Sequence, residues 1–329
     1  MSELLTVKGL ETQFKTRYGT VHAVNGVSFS LDQGETLGVV GESGCGKSVS
    51  MMSLLRLIPS PPGKVTAGEA LFHGKDLLRM SDEEIRGIRG KKISVVFQNP
   101  MTSFNPVHTI GDQVAESWRI HTGADRKEAY ERAVRYLELV GIPNPEDHMK
   151  RYPHEFSGGM RQRVMIAMSL ICEPEILIAD EPTTALDVTI QAQIVELVKD
   201  LQKKLNMSVI WITHDLGIVA GLADRVNVMY GGYIVETARV RDLYKEPRHP
   251  YTIGLLGSLP RMDEEDGRRL ASIDGIPPIL YRKPDFCPFH DRCTLAVERC
   301  HHENPALRPA GNDGHLAACW INTENGREL

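Results

Sequence analysis

The stretch Gly41-Glu42-Ser43-Gly44-Cys45-Gly46-Lys47-Ser48 decides the fold, because it has the Gly-x-x-x-x-Gly-Lys-Ser spacing of a phosphate-binding P-loop. Glycines let the backbone turn successive N–H groups towards one phosphate, and the following helix adds the positive end of its dipole. The apolar run 36–40 predicts a buried strand before the loop, and residues 48–57 can form a helix that Pro59 stops. This context disfavours a chance glycine-rich turn, so we predict a nucleoside triphosphate site.

Two side chains of the loop have predicted roles. Lys47 would reach the β- and γ-phosphates as a positive charge, and Ser48 would hold Mg²⁺ through its hydroxyl. A further aromatic candidate, Tyr18, lies in a loop between two strand-like segments, where its ring could stack on a nucleobase or pack on its own hairpin. The predicted ATP-binding residues are Tyr18, Gly41, Ser43, Gly44, Cys45, Gly46, Lys47, Ser48 and Val49.

The bulk composition bounds the class of protein. The 329 residues suffice for one large domain with an appendage, or for two domains. A formal net charge of -5 without a long basic block gives no indication of nucleic-acid binding. No run of about 18 apolar residues occurs, and the N-terminus lacks the regions of a signal peptide. We therefore expect a cytosolic protein, in which disulfides are not expected.

The pattern along the chain predicts an α/β architecture. Residues 4–8 and 21–31 alternate apolar and polar residues, as half-exposed antiparallel strands do, and residues 225–236 have the form of a hairpin with a Gly-Gly turn. From about 101 to 170 the periodicity is helical, which indicates a helical insertion. One predicted apolar stripe in it consists of Tyr130, Ala133, Val134 and Leu137.

Polar side chains follow three of the predicted buried strands. One strand ends in Asp180 and Glu181; an Asp at this place holds Mg²⁺ in P-loop NTPases, and Glu181 could take a proton from an attacking water. These two acids could merely solubilise the end of the strand, but the P-loop upstream disfavours that interpretation. Gln98 could reach a metal ion or a water, although a lone Gln usually does neither. His214 follows a strand where open α/β sheets bind ligands.

A second helix start has the chemistry of an anion site. Ser157 is a natural N-cap, and Gly158 and Gly159 open the helix after it. An ordinary capped helix after a glycine-rich turn is the alternative.

In this order the motifs, over residues 4–258, resemble those of ATP-binding cassette (ABC) ATPases. The family's signature is usually Leu-Ser-Gly-Gly-Gln; here Phe156 and Met160 stand at the outer positions and the Ser-Gly-Gly core is kept. The matching elements are the Walker A loop Gly41–Ser48, the Q-loop Gln98, the signature Ser157–Arg161, the Walker B strand Ile176–Asp180 with catalytic Glu181, the D-loop Ala185–Asp187 and the switch residue His214.

The resemblance implies two ATPase subunits that face each other head to tail, each ATP lying between one subunit's Walker A loop and the other's signature. Glu181 would activate water, His214 would orient the γ-phosphate, and Gln98 would couple the site to a permease. The implied Mg²⁺ ligands are Ser48, Gln98 and Asp180. The implied contacts with the partner's ATP are Ser157, Gly158, Gly159 and Met160, with Asp187 in the D-loop.

A narrower resemblance rests on Phe97–Pro106, on His249–Thr252 and on the extension after it, which look like the ATPase subunits of bacterial dipeptide and oligopeptide importers. It implies ATP-driven peptide import with a second ATPase subunit in a heterodimer, two membrane permeases and an external peptide-binding protein, on the cytoplasmic face of the inner membrane. The alternatives are a non-transport ABC ATPase, an importer of another solute such as nickel, and a regulatory subunit that binds ATP without cleaving it. Glu181 and His214 disfavour the last.

Four cysteines crowd the end of the chain, where prolines and glycines predict a loop-rich segment. Four thiolates in a reducing compartment indicate a metal centre, and the residues leave iron–sulfur and zinc open. The spacing is not that of a zinc ribbon, but nearby histidines could serve zinc; they are His290, His301, His302 and His315. The resemblance favours a [4Fe–4S] cluster on Cys287, Cys293, Cys300 and Cys319. We predict an ABC ATPase domain over 1–258 and a small metal-binding extension over 259–329.

Overall fold

The computed structural model describes residues 3–184, 186–259, 273–312, 314–323 and 327–328. Through residue 139 the elements are β1 (Glu3–Thr16), β2 (Gly19–Asp32), β3 (Thr36–Val40), α1 (Lys47–Leu54), β4 (Gly63–Phe72), β5 (Lys75–Asp76), α2 (Asp82–Ile88), β6 (Ile93–Val96), α3 (Pro100–Ser103), α4 (Ile110–Thr122) and α5 (Arg126–Leu139). After it come α6 (Pro145–His148), α7 (Gly158–Leu170), β7 (Ile176–Asp180), α8 (Val188–Leu205), β8 (Ser208–Thr213), α9 (Leu216–Leu222), β9 (Arg225–Tyr230), β10 (Tyr233–Arg239), α10 (Val240–Lys245), α11 (Pro250–Gly257), β11 (Arg308–Pro309), β12 (Leu316–Ala317), β13 (Ile321–Asn322) and β14 (Arg327–Glu328).

The chain divides into two compact units. Among the described residues, the P-loop unit comprises 3–31, 36–78, 212–259 and those from 273 onwards, and the helical unit comprises 32–35 and 79–211. The predicted domain boundary at residue 258 stays a prediction, and residues 260–272 lie outside the described residues.

The predicted antiparallel strands form a sheet of the P-loop unit with the order β2-β1-β4-β5. Within the same unit, β3 pairs in parallel with β9, and β9 pairs antiparallel with β10 through the predicted hairpin. The register sets Leu37 opposite Arg225 and Val40 opposite Val228. All five residues of β3 are buried, as expected of a strand covered on both faces. The predicted α/β fold with an antiparallel subdomain is confirmed.

The helix after the P-loop is shorter than predicted. Its last residue is Leu54, although the apolar pattern runs on to Leu57. Arg56 has a positive φ of 52°, a conformation that a helix interior does not contain, so the chain turns away three residues early.

The end of the chain adds short strands to the P-loop unit. β12 pairs with β10, opposite Glu236 and Thr237, and β11 pairs with β12. Glu236 is fully buried, and its carboxylate accepts hydrogen bonds from the N–H groups of Arg248 (2.6 Å) and His249 (2.9 Å) and pairs with Nε2 of His315 (2.7 Å). One buried carboxylate thus joins β10, the start of α11 and the tail.

In the helical unit, β6 and β7 are parallel and fully or nearly fully buried. Helices α3 to α7 lie in the predicted helical stretch. The stripe predicted on α5 was wrong at one position, because Tyr130 is exposed and Tyr136 is buried instead. Tyr136 donates a hydrogen bond to Glu173, and Arg132, which pairs with the same carboxylate, stacks on Trp118. The apolar pattern did not predict the burial of Tyr136, because its hydroxyl depends on a hydrogen-bond partner that the pattern does not show.

We predict that Glu236→Gln lowers the free energy of unfolding by about 2 kcal/mol, because an amide cannot accept all three hydrogen bonds that the buried carboxylate accepts. Urea unfolding of the full chain measures the change. The matched control is Glu298→Gln, whose carboxylate also pairs with a histidine, His302, but in solvent. Equal effects of the two substitutions would contradict the prediction.

Candidate functional site

The P-loop is wedged between two other backbone segments of its unit. A Cβ atom at Gly41 would lie 2.3 Å from the carbonyl oxygen of Met229, and one at Gly46 would lie 2.4 Å from that of Ala23. The carbonyl of Cys45 accepts a hydrogen bond from the N–H of Gly232 at 3.0 Å. Only glycine fits at these approaches, which explains two of the glycines of the motif.

The loop presents a lysine and a helix start. Lys47, only 4% exposed, folds over the loop, and its Nζ donates to the carbonyl oxygens of Gly41 (2.7 Å) and Glu42 (3.0 Å). Helix α1 begins at Lys47. Its N-cap is Gly46, which has no side chain to cap the helix, and no acidic residue occupies its first turn. Such a helix start favours an anion.

The other predicted loop residues differ in exposure. Ser43 and Gly44 are exposed, and Ser48 and Val49 are half-buried. Cys45 is buried, and this burial raises the pKa of its thiol, so it stays neutral at physiological pH.

Tyr18 lies in the turn between β1 and β2 and is 70% exposed. The guanidinium of Arg17 stands 4.6 Å from the ring centre. The ring is therefore not packed into its own hairpin, and nucleobase stacking stays a prediction.

The sequence analysis did not find the contact that fixes Glu42. Its N–H donates to the hydroxyl of Tyr251 at 2.8 Å. Burial lowers the pKa of His249 to about 4, so its neutral ring accepts a hydrogen bond from the N–H of Tyr251 and caps α11. The His249–Thr252 motif, recognised only as a family likeness, thus positions a tyrosine against the P-loop.

In the helical unit, the structure brings Gln98 and Glu181 together. Oε2 of Glu181 accepts hydrogen bonds from Nε2 of Gln98 (3.0 Å) and from the hydroxyl of Thr184 (2.9 Å). Glu181 has a φ of +45°, a strained backbone that often marks functional positions, and it follows the buried Asp180 at the end of β7. These two hydrogen bonds can orient the carboxylate as a base. The sequence analysis assigned no role to Thr184.

The signature residues form a capped helix start, as predicted. Oγ of Ser157 accepts a hydrogen bond from the N–H of Met160 at 3.3 Å, and α7 begins at Gly158. Phe156, the first departure from the family pattern, is buried. The half-buried Gly159 lies beside Ile190 of α8, to which a Cβ would come within 2.9 Å.

The D-loop and switch residues lie next to helix starts. Asp187 is exposed and caps α8 by accepting a hydrogen bond from the N–H of Ile190 at 3.0 Å, while Ala185 lies outside the described residues. In the P-loop unit, His214 is exposed immediately after β8, and Asp215 caps α9.

The four cysteines of the tail are free thiols, and Cys287 and Cys300 are buried. The N–H of Cys287 donates to the carbonyl of Cys300 at 2.9 Å. Burial, reinforced by the neighbouring thiols, raises the pKa of Cys287 to about 12 and that of Cys319 to about 11. Burial also raises the pKa of Cys293. Nevertheless, the described part of the chain holds no group of three or more His, Cys, Asp or Glu side chains arranged to hold a metal ion.

Three of the four nearby histidines have other partners. His315 pairs with Glu236, and Nδ1 of His290 lies 2.8 Å from the carbonyl of Cys287. His302 pairs with Glu298. These contacts compete with any role as zinc ligands.

Comparison with known proteins agrees with this geometry. Residues 24–184 match the ABC transporter family model, and residues 235–300 match the model of the oligopeptide/dipeptide transporter C-terminal region. The dipeptide transport ATP-binding protein DppD of Bacillus subtilis is 54% identical over 98% of this chain and 95% of its own length. The oligopeptide transport ATP-binding protein OppD of the same organism is 51% identical over 98% of this chain and 89% of its own length.

A dimeric post-hydrolysis structure of the ATP-binding cassette MJ0796 bound to ADP and phosphate has a TM-score of 0.65 at 27% identity, covering 72% of this chain and 99% of that one. The fold, the P-loop and these matches define an ABC-type ATPase. More narrowly, the chain belongs to the ATP-binding subunits of dipeptide and oligopeptide ABC importers. Within the described part of the chain, none of the helices combines the length and the apolar character of a membrane span.

We predict that Gly46→Ala destabilises the chain more than Gly44→Ala does. Both glycines have positive φ, 98° and 82°, so both substitutions incur the backbone strain of about 1 kcal/mol. Only at Gly46 would the added Cβ meet the backbone of Ala23, whereas at Gly44 nothing lies within 4 Å. Thermal unfolding of the two variants measures the difference, and equal midpoints would contradict the prediction.

Proposed function

We propose that this chain binds and hydrolyses ATP to power the uptake of dipeptides or oligopeptides at the cytoplasmic face of a bacterial inner membrane. The observation that carries the proposal is the match to peptide-transport ATP-binding subunits along 98% of the chain. It extends beyond the ATPase motifs into the C-terminal region, which argues against an ABC ATPase of a non-transport class.

ATP binding is assigned to the P-loop unit. The loop amides and the start of α1 would take the phosphates, with Lys47 exchanging its carbonyl contacts for the β- and γ-phosphates. Tyr18 would stack on the adenine, which its exposure supports. The proposed Mg²⁺ ligands are Ser48, Gln98 and Asp180, and Mg²⁺ bound there would neutralise phosphate charge.

Hydrolysis is assigned to Glu181, as the base that takes a proton from the attacking water. Its hydrogen bonds from Gln98 and Thr184 support this role, because they hold the carboxylate in one orientation. His214 would contact the γ-phosphate, and its exposure at the end of β8 is compatible with that contact.

The working assembly is proposed to contain a second ATPase subunit in a heterodimer, two membrane permeases and an external peptide-binding protein. The capped helix start at Ser157, with Gly158, Gly159 and Met160, would bind the γ-phosphate of ATP held by the partner. Asp187 would lie in the same interface. The dimeric structures of the similar cassette MJ0796 support a paired arrangement.

We predict that Glu181→Gln retains ATP binding and lowers hydrolysis by about 100-fold or more, because it removes the general base and keeps the shape. Phosphate release is measured in the assembled transporter, and nucleotide binding is measured on the full chain. The matched control is Glu175→Gln, just before the same strand, where the carboxylate pairs with Lys92. Wild-type turnover in Glu181→Gln would overturn the assignment of the base.

We further propose that Cys287, Cys293, Cys300 and Cys319 hold a [4Fe–4S] cluster, with zinc as the alternative. Burial and neighbouring cysteines of the set raise the pKa of Cys287, Cys293 and Cys319, which supports a common site. A bound cation would favour the thiolates that burial alone disfavours. The side chains must close together to bind it, since the described residues hold no ready-made metal site.

We predict about four iron and about four acid-labile sulfide per chain when the protein is purified without air. One zinc without sulfide would replace the cluster by a zinc site, and protein without either metal would refute a metal centre. Cys287→Ser should lose the metal, while Cys172→Ser, a half-buried cysteine of the helical unit, should keep it.

A further inference from the structure

Arg292, in the C-terminal tail, forms an ion pair with Glu42 of the P-loop. Nη1 of Arg292 lies 2.7 Å from Oε2 of Glu42, and Nη2 lies 2.9 Å from Oε1, so the pair is bidentate. The Arg292 side chain is 6% exposed and that of Glu42 is 28% exposed. Bidentate pairs shielded from solvent are stronger and more directional than surface ion pairs.

The guanidinium is fixed by contacts other than Glu42. Its Nε donates to the carbonyl of Asp274 at 2.8 Å, and Nη2 donates to the carbonyl of Ile273 at 3.2 Å. Nη1 also lies 3.3 Å from the hydroxyl of Tyr230 on β9. The tail and the sheet therefore hold the Arg292 guanidinium in a fixed position from which it binds Glu42.

Glu42 is fixed at its backbone as well. Its N–H donates to Tyr251, and its carbonyl accepts a hydrogen bond from Lys47. The residue lies inside the P-loop, between the tightly packed Gly41 and the exposed Ser43. Its carboxylate is thus the one acidic group within the eight-residue motif.

A carboxylate inside a loop proposed to bind polyphosphate is unfavourable for that binding. A released carboxylate would repel the phosphates, and it could also pair with the ammonium group of Lys47, which already contacts the carbonyl of the same residue. The Arg292 fork prevents both, because it neutralises the carboxylate and holds it in one direction.

We propose that Arg292 is a positioning residue for nucleotide binding: it sequesters the Glu42 carboxylate so that Lys47 and the loop amides remain available for the polyphosphate. The proposal rests on the proposed binding of ATP by the loop Gly41–Ser48. Under this proposal, the C-terminal segment contributes to nucleotide binding through Arg292, which is 250 residues away from Glu42 in sequence.

The test is a double-mutant comparison of Mg-ATP binding by the full chain, measured by calorimetry. Arg292→Met should raise the Kd about tenfold, because it frees the carboxylate. Glu42→Gln should change the Kd by less than about threefold. The double variant Glu42→Gln with Arg292→Met should return to within about threefold of the unchanged chain, because no carboxylate is left to release.

A purely structural role of Arg292 gives a different pattern. It would leave the double variant at least as weak as Arg292→Met, and that outcome overturns the proposal, as does an unchanged Kd in Arg292→Met. Repulsion should also weaken ATP binding more than ADP binding and should diminish in added salt, whereas a general loss of loop structure would weaken both nucleotides alike.

Two further variants complete the design. Arg282→Met removes an exposed arginine of the same segment and should leave the Kd unchanged. If Arg292→Met fails to fold, Arg292→Lys serves instead: it keeps the charge but loses the bidentate geometry and should raise the Kd about threefold. The double variant with Glu42→Gln should then have the same Kd as Glu42→Gln alone, and a Kd raised about threefold above that of Glu42→Gln would overturn the proposal. Lys47→Ala tests the proposed function separately, since retained ATP binding there would refute the P-loop assignment whatever Arg292 does.

Discussion

The close approach of three backbone segments governs the P-loop unit. The loop can lie against the carbonyls of Ala23 and Met229 only because Gly46 and Gly41 have no Cβ atom. Once seated, it is tied to the β9–β10 hairpin by the hydrogen bond from Gly232 to Cys45. The position of the loop amides, the proposed phosphate ligands, therefore depends on the antiparallel strand β2 and on the hairpin as much as on the loop's own sequence.

That dependence extends to the end of the chain. The β9–β10 hairpin carries Tyr230, which contacts Arg292, and Glu236, which binds His315. The buried ring of Tyr251 packs edge-to-face on Tyr230 while its hydroxyl meets the loop. The residues that hold the loop and those that hold the tail are thus neighbours in a single cluster of rings and hydrogen bonds. Loosening the tail removes supports from the loop itself.

The sequence was sufficient for the features that depend on local patterns. The P-loop, the antiparallel strands and the cap at Ser157 each follow from neighbouring residues, and the structure has all three. The end of α1 was missed because the left-handed Arg56 interrupts an apolar pattern that continues past it. The Arg292–Glu42 pair joins residues 250 positions apart, and no periodicity links two charges at that separation. Thr184 was missed because a threonine after two acids has no distinctive signal.

Lys47 and Arg292 both contact the loop, but they hold it in opposite ways. Lys47 donates to neutral carbonyls, and a charged phosphate oxygen is a stronger acceptor, so in the proposed ATP site these contacts would be exchanged. Arg292 binds a carboxylate through two parallel hydrogen bonds in a place largely closed to water, so its contact is costly to break. A loop with one exchangeable and one fixed cation can bind phosphate without losing its shape. This division of labour explains how an acidic residue can lie within a loop built for anions.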